Sequence, residues 1–85
     1  MYLVKWWERA FDDMNGIIRD NPARKREFVL ALRQITHQLS TDPEDVGESR
    51  VGEMRVMFAG EMSVFYRVDA DDKTVEIARV RLRQP

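Results

Sequence analysis

The stretch TVEIARVRLRQP, residues 74–85, alternates arginine with apolar residues over its second half. Because successive side chains of a β-strand point to opposite faces, the alternation predicts a strand with one charged face and one buried face. The charged face would carry Arg79, Arg81 and Arg83. In the first half, Val75 and Ile77 have the spacing of the arginines, which predicts either a β-bulge or a strand that begins beyond the covered part of the sheet.

The composition is that of a small globular protein. The 85 residues carry 14 Lys and Arg against 15 Asp and Glu, a formal net charge of −1, and 44% of them are hydrophobic. This length predicts one domain, residues 1–85. The balance of charges is not that of a strongly basic protein that binds nucleic acid through its bulk charge.

Cysteine is absent, and His37 is the only histidine. A disulfide or a thiolate metal site therefore cannot form, and one histidine is a poor basis for a zinc site, so we expect no metal and no cofactor. The stretch MYLVKWWERAF, residues 1–11, has no apolar run long enough for a leader or a membrane span. We therefore expect a cytoplasmic protein that makes no membrane contact.

A strand and two helices are predicted in the first half of the chain. YLVKW, residues 2–6, is rich in the aromatic and branched residues that favour strands. From Trp7 to Asp20 apolar residues recur at the spacing of an amphipathic helix. Asn21 is placed as the N-cap and Pro22 as the first residue of a second helix, which would run to about Leu39. The short link between them predicts an antiparallel helix hairpin.

After the loop STDPEDVGESRVG, residues 40–52, the apolar period changes to that of strands. EMRVMFAG and EMSVFYRVD predict two strands joined by a hairpin at Gly60, and DADDK predicts the turn before the last strand, Thr74 to Arg83. The sequence therefore predicts an α+β fold with an N-terminal strand, a helix hairpin and a three-stranded antiparallel meander. The helices would pack on one face of the sheet.

Strand alternation also predicts which residues share a face of that sheet. The residues predicted to face the helices are Met54, Val56, Phe58, Val64, Tyr66, Val68, Ala78, Val80 and Leu82. Those predicted on the open face are Arg55, Ser63, Phe65, Arg67, Arg79, Arg81 and Arg83. The open face would thus be rich in arginine.

The element order, with GESRVGEMRVMFAG at 47–60, VFYRVD at 64–69 and VEIARVRLR at 75–83, resembles a family of bacterial toxins. The family is the RelE/ParE superfamily of type II toxin–antitoxin systems, and the chain looks like a divergent, plasmid-stabilisation-like member. The resemblance covers nearly the whole chain and implies an antitoxin protein as partner. RelE-like members cut messenger RNA on the ribosome without a metal, and ParE-like members poison DNA gyrase.

The resemblance also implies catalytic candidates, because metal-free RNA cleavage needs positive groups around the phosphate and groups that transfer protons. The family's basic residue on the second strand matches Arg55. Its basic position at the end of the last strand matches Arg83, or Arg81 if the alignment shifts. Glu48 lies in the loop where some members place a catalytic carboxylate.

Two departures from the ribonucleolytic pattern stand out. Those members usually carry an arginine where this chain has Ser63, and a tyrosine or histidine shortly after the last strand, where this chain has Gln84 and Pro85. The remaining candidates are assigned to substrate or partner binding, and they are Arg50, Ser63, Phe65, Arg67 and Arg79.

For the row of arginines the sequence leaves three alternatives: phosphate contact, docking of an acidic antitoxin segment, or a solvated edge strand whose charges discourage aggregation. Cross-strand pairs with Glu53, Glu61 or Asp69 would neutralise part of the row.

Two functional hypotheses follow. The first is a toxin that acts as a ribosome-dependent, metal-independent mRNA endoribonuclease. The alternative is a non-catalytic binding protein on the same scaffold, either a ParE-like gyrase inhibitor or an orphan interaction module, and the two departures favour it. A homodimer also remains open, because a small core often gains stability by association.

Overall fold

The computed structural model describes residues 1–44, the backbone of residues 48–49, and residues 53–83. The elements in chain order are β1 (Leu3–Trp6), α1 (Glu8–Asp20), a 3₁₀ turn (Pro22–Arg24), α2 (Lys25–Thr41), β2 (Glu48–Ser49), β3 (Met54–Ala59), β4 (Met62–Asp69) and β5 (Thr74–Leu82). The predicted α+β order of one strand, two helices and a closing group of strands is confirmed.

The strands form one sheet in the order β1-β5-β4-β3-β2. β3, β4 and β5 make the predicted antiparallel meander, whereas β1 pairs with β5 in parallel, so the sheet is mixed. Within the segment predicted as a loop, β2 adds a short antiparallel strand at the edge beside β3. Two-residue edge strands like this one carry no hydrophobic pattern that would reveal them in sequence.

The two helices run in opposite directions along the sheet. At the junction between them Arg24 forms an ion pair with Glu61, in the turn between β3 and β4, and at the far end of α2 the Ser40 carbonyl accepts a hydrogen bond from Tyr2 N–H. Asn21 does not cap the second helix as predicted. Its side-chain amide donates to the Ile17 carbonyl at 2.9 Å, so Asn21 closes the first helix instead.

A one-residue irregularity divides β5 into two halves. Phe65 of β4 pairs with Arg79, but the next residue, Tyr66, pairs with Ile77, which leaves Ala78 as the extra residue of a bulge. Of the two alternatives predicted from the change of parity, a bulge and a strand that begins beyond the covered part of the sheet, the bulge is the one present. It turns Val75 inward together with Val80, so both halves of β5 contribute to the core.

The predicted orientation of β3 is wrong by one residue. Arg55 pairs with Tyr66 and Met57 with Val64, and directly opposite residues of antiparallel strands share a face. Arg55 therefore lies on the helix-facing side. The residues that move to the open face are Met54, Val56 and Phe58.

The physical reason is that β3 has apolar residues on both of its faces. Its sequence MRVMFA therefore does not specify which face is buried. The short turn at Gly60 and Glu61 pairs Ala59 with Met62, and this pairing sets the register.

The core lies between the helices and one face of the sheet. It draws Ala10 and Met14 from α1, Phe28, Ile35 and Leu39 from α2, and Met57, Met62, Val64, Tyr66, Val75, Ile77 and Val80 from the strands. Burial of these side chains is the main stabilising contribution to a domain of this size.

Replacing each of two glycines by alanine should change the free energy of unfolding in opposite directions. Gly60→Ala should lower the free energy of unfolding by about 1 kcal/mol, because the φ of 58° at this turn lies in the left-handed region. Gly16→Ala should raise it by about 0.5–1 kcal/mol, because glycine inside a helix is unfavourable and an added Cβ would come no closer than 3.7 Å to its nearest neighbour, Arg19 Nη2. Urea unfolding measures both, and a Gly60→Ala variant as stable as the wild type would contradict the turn geometry.

Candidate functional site

The sheet face opposite the core collects most of the predicted site residues. Pairing across β3, β4 and β5 places twelve described side chains on this open face: Met54, Val56, Phe58, Ser63, Phe65, Arg67, Asp69, Thr74, Glu76, Arg79, Arg81 and Arg83. The neighbours of each arginine on that face decide whether it is available to a ligand.

Arg81 and Arg83 are the exposed arginines of the open face. The side chain of Arg81 makes no hydrogen bond or ion pair with any residue that the structure describes. The guanidinium of Arg83 lies 5.2 Å from the ring centre of Phe58, which is 45% exposed. Such a stacked arginine keeps its outer edge free for hydrogen bonds.

Apolar side chains lie between and beside these arginines. A shallow groove of about 610 Å³ is lined by Met54, Phe65, Arg79, Arg81 and Leu82. We define the basic–aromatic patch as Met54, Phe58, Phe65, Arg81 and Arg83. It combines two cationic groups with three apolar side chains on one surface, which suits a ligand that is both apolar and acidic.

Ser63 lies at the centre of the open face, where the ribonucleolytic relatives would carry an arginine. It pairs with Phe58 on one side and with Arg81 on the other, and only 6% of its surface is exposed. A small hydroxyl buried in this position cannot provide the missing positive charge.

Arg67 is neutralised at the other end of the open face. Its guanidinium donates to Glu76 Oε1 at 2.6 Å, and the indole N–H of Trp7 donates to Glu76 Oε2 at 3.0 Å. The hydrogen bonds from Arg67 and Trp7 lower the pKa of Glu76 below its ordinary value, although burial opposes them. A cross-strand ion pair thus neutralises an arginine of the open face, as expected. The acid in this pair is Glu76, whereas the sequence alone indicates Glu53, Glu61 or Asp69.

Arg79 is held by α1. Its Nε donates to Asp13 Oδ2 at 2.9 Å and its Nη2 to Asp13 Oδ1 at 3.2 Å, a bidentate ion pair. The same Oδ2 accepts the backbone N–H of Val80 at 2.9 Å. Burial acts to raise the pKa of Asp13, but the hydrogen bonds from Arg79 and Val80 outweigh it, and the pKa is lowered.

Arg55 lies across the sheet from the basic–aromatic patch and anchors the chain that leaves α2. Its guanidinium donates to the Glu44 carbonyl. Beside it, the fully buried Tyr66 donates its hydroxyl proton to the Pro43 carbonyl at 2.7 Å. Burial raises the pKa of Tyr66, and a hydrogen bond from Arg55 offsets part of that shift.

The structure thus brings together Ser63, Phe65, Arg67, Arg79, Arg81 and Arg83 and separates Arg55 from them. Arg50, Gln84, Pro85 and the side chain of Glu48 lie outside the described part of the chain. Sequence reasoning missed Asp13 and Glu76, the carboxylates that neutralise two of the arginines. Asp13 is distant from Arg79 in the sequence, and Glu76 lies in the half of β5 before the bulge. No local pattern therefore indicates either carboxylate as the partner of an arginine.

The described residues of the open face include few groups that could transfer a proton. Within the described residues of β3, β4 and β5 this face has no histidine or tyrosine. Glu76, at one end of this face, is a weak base because its pKa is lowered, and both of its oxygens already accept hydrogen bonds. No group of three or more potential metal ligands occurs among the described residues.

A family model of the "ParE toxin of type II toxin-antitoxin system, parDE" matches residues 4–84. No curated protein sequence is significantly similar to the chain. None of the described helices is both long enough and apolar enough to cross a membrane.

Several solved structures share the fold over nearly the full chain. The toxin–antitoxin complex RelBE2 from Mycobacterium tuberculosis contains a chain 27% identical, with a TM-score of 0.76, and the match covers 96% of this chain and 98% of that one. A chain of the chromosomal ParDE system from P. aeruginosa is 20% identical with a TM-score of 0.79, covering 99% and 98%. The isolated RelE toxin from E. coli is 11% identical with a TM-score of 0.71, covering 100% and 87%. The last two matches, at 20% identity or less, show only that the fold is shared.

Asp13→Asn should lower the free energy of unfolding at neutral pH by about 1–2 kcal/mol. The Asp13 and Arg79 side chains are only 17% and 31% exposed, and the substitution removes the ionic part of their hydrogen bonds. Because the pKa of Asp13 is lowered by folding, its contribution is complete above the ordinary value of 3.8 and is lost as the pH falls below that value.

Urea unfolding between neutral pH and about pH 3 measures this effect. The exposed neighbour provides the control, since Asp12→Asn should change stability by less than about 0.5 kcal/mol. If wild type and Asp13→Asn were to lose stability in parallel as the pH falls, Asp13 would not be the group responsible.

Proposed function

Because this chain belongs to the ParE toxin family of type II toxin–antitoxin systems, we propose that it is a toxin that binds and inhibits DNA gyrase. We propose further that the basic–aromatic patch makes the contact and that an antitoxin protein neutralises the toxin. That a similar chain, 27% identical, occurs in a toxin–antitoxin complex supports the antitoxin as partner.

The separation of the candidate catalytic groups is the observation that carries the choice of binding over catalysis. Arg55 lies on the opposite face of the sheet from Arg81, and Ser63 replaces the arginine of the ribonucleolytic pattern. Arg67 and Arg79 are held by Glu76 and Asp13. Metal-free cleavage would need several charged and proton-transferring groups within a few ångströms of one phosphate.

The chemistry of the patch suits a protein partner. Arginines and aromatic residues are the side chains that contribute most to protein–protein affinity, especially beside apolar neighbours that exclude water. The remaining arginines of the open face are neutralised, and the chain has a net charge of −1. A long polyanion would gain little from this surface beyond two charges, whereas an acidic and apolar site on a protein would engage the whole patch.

Ribosome-dependent cleavage of messenger RNA is the second candidate. The observation in its favour is that Phe58 and Phe65 lie beside Arg81 and Arg83. Aromatic rings and arginines together also stack unpaired bases and bind phosphates. Under this hypothesis the patch would be the RNA site.

A paired assay separates the two candidates. The purified protein should inhibit supercoiling by gyrase, and induced expression should produce gyrase-linked DNA breaks while messenger RNA stays intact. Arg81→Ala combined with Arg83→Ala should raise the concentration needed for inhibition by about a hundredfold or more, since such arginines contribute about 2 kcal/mol each at interfaces and about 1.4 kcal/mol is a factor of ten. Messenger RNA cut within codons, with active gyrase, would overturn the proposal in favour of the second candidate.

A control removes the same number of charges elsewhere. Arg9 and Arg26 are exposed on or beside the helices and lie far from the open face. Arg9→Ala combined with Arg26→Ala should leave inhibition of gyrase within about twofold of the wild type, because distant surface charges add little at moderate ionic strength. Equal losses in both double variants would show that net charge, and not the patch, determines binding.

A further inference from the structure

One edge of β5 is open along its second half. β1 pairs with β5 only from Thr74 to Ile77, and the last bond of this kind joins Trp7 N–H to the Ile77 carbonyl. From there the chain turns into α1, so none of the described strands lies beside the residues that follow the bulge. An uncovered strand edge is a ready template for pairing with another extended chain.

The pairing with β4 shows which backbone groups point to this edge. Arg83 N–H donates to the Glu61 carbonyl, so in the alternating antiparallel pattern Arg81 and Arg79 also bond to β4. Val80 and Leu82 point the other way. Asp13 takes the Val80 N–H, but the Val80 carbonyl and both backbone groups of Leu82 have no hydrogen-bond partner among the described residues.

A groove of about 620 Å³ runs along this edge between β5 and α1. Gly16 lies in its wall. The protein itself gives no steric reason for a glycine there, because an added Cβ would have 3.7 Å to its nearest neighbour and the helix would gain from alanine. The missing side chain keeps the groove wide enough for a second backbone to approach β5, which is a common use of glycine.

The charge of the groove indicates the chemistry of its occupant. Asp12 and Asp20 line its α1 side and are exposed, whereas the charge of Asp13 is balanced by Arg79, and the exposed Arg81 lines the β5 side. Asp20 also lies 3.5 Å from Arg19, a pair that is more than two-thirds exposed and therefore weak. An extended segment in the groove would find carboxylates on its α1 side, so lysine or arginine side chains fit it and phosphates do not.

We propose that this edge groove binds an extended, basic segment of a partner protein as an additional strand beside Val80 and Leu82. Main-chain hydrogen bonds to β5 supply binding energy, and lysine or arginine side chains at alternate positions contact Asp12 and Asp20. The groove lies at the side of the sheet and shares Arg81 with the basic–aromatic patch, but the pairing proposed for it uses the backbone of β5 and the carboxylates of α1, so this proposal does not depend on gyrase as the target.

The test uses a short blocked peptide of alternating lysine and valine as probe, added to the full chain labelled with ¹⁵N. At a peptide concentration of about ten times its dissociation constant, hydrogen exchange of the Leu82 amide should slow by about tenfold, because only the bound state protects it. A peptide with glutamate in place of lysine should give no protection. Unchanged exchange at Leu82 with the lysine peptide would overturn the proposal, as would protection at the edge of β1 or β3 instead.

Two variants link the binding to this groove. Gly16→Leu fills the groove and should abolish protection of Leu82, while Gln34→Leu, which introduces the same residue type at an exposed position of α2 away from the groove, should not. If Gly16→Leu does not fold, Asp12→Asn combined with Asp20→Asn should weaken peptide binding and remove most of its dependence on salt. Full binding by the variant that folds would refute the proposal. Protection of Leu82 that rises with protein concentration alone would do the same, since it would identify a second copy of the chain as the occupant.

Discussion

The bulge at Ala78 is the constraint on which the rest of the structure depends. In a regular strand every second residue faces the same side, so odd-numbered and even-numbered residues lie on opposite faces. In β5, however, Val75, Ile77 and Val80 all lie in the core. One extra residue reconciles the two halves. Through it Glu76 reaches Arg67 before the bulge, and Arg79, Arg81 and Arg83 share the open face after it.

Where β1 ends, α1 takes over the stabilisation of the sheet edge. A strand edge left without partners exposes polar backbone groups, and Asp13 satisfies one of them while it also binds Arg79. A single carboxylate therefore joins α1 to β5 and removes one arginine from the open face. Because a helix replaces a strand here, the backbone groups of Leu82 have no hydrogen-bond partner among the described residues. The groove beside Gly16 lies along this unpaired edge of β5.

The row of arginines that dominates the end of the sequence is divided by its tertiary contacts. Arg67 and Arg79 serve the structure, whereas Arg81 and Arg83 remain exposed beside apolar side chains. A surface with two cations and three apolar groups binds a different class of ligand from a row of four cations. This is the physical basis for favouring a protein target over RNA cleavage.

The sequence by itself determined the order of the elements, the two amphipathic helices and the hairpin at Gly60, because each of these depends on local periodicity or turn chemistry. In β5 it left the bulge as one of two alternatives, and pairing with β4 decided between them. The sequence did not determine the face of β3, since apolar residues on both sides make the two orientations look alike and only pairing with β4 selects one. The tertiary structure alone placed Arg55 beside Tyr66 and brought Asp13 to Arg79. Such contacts join residues far apart in the chain, and a residue's charge does not reveal which distant partner will neutralise it.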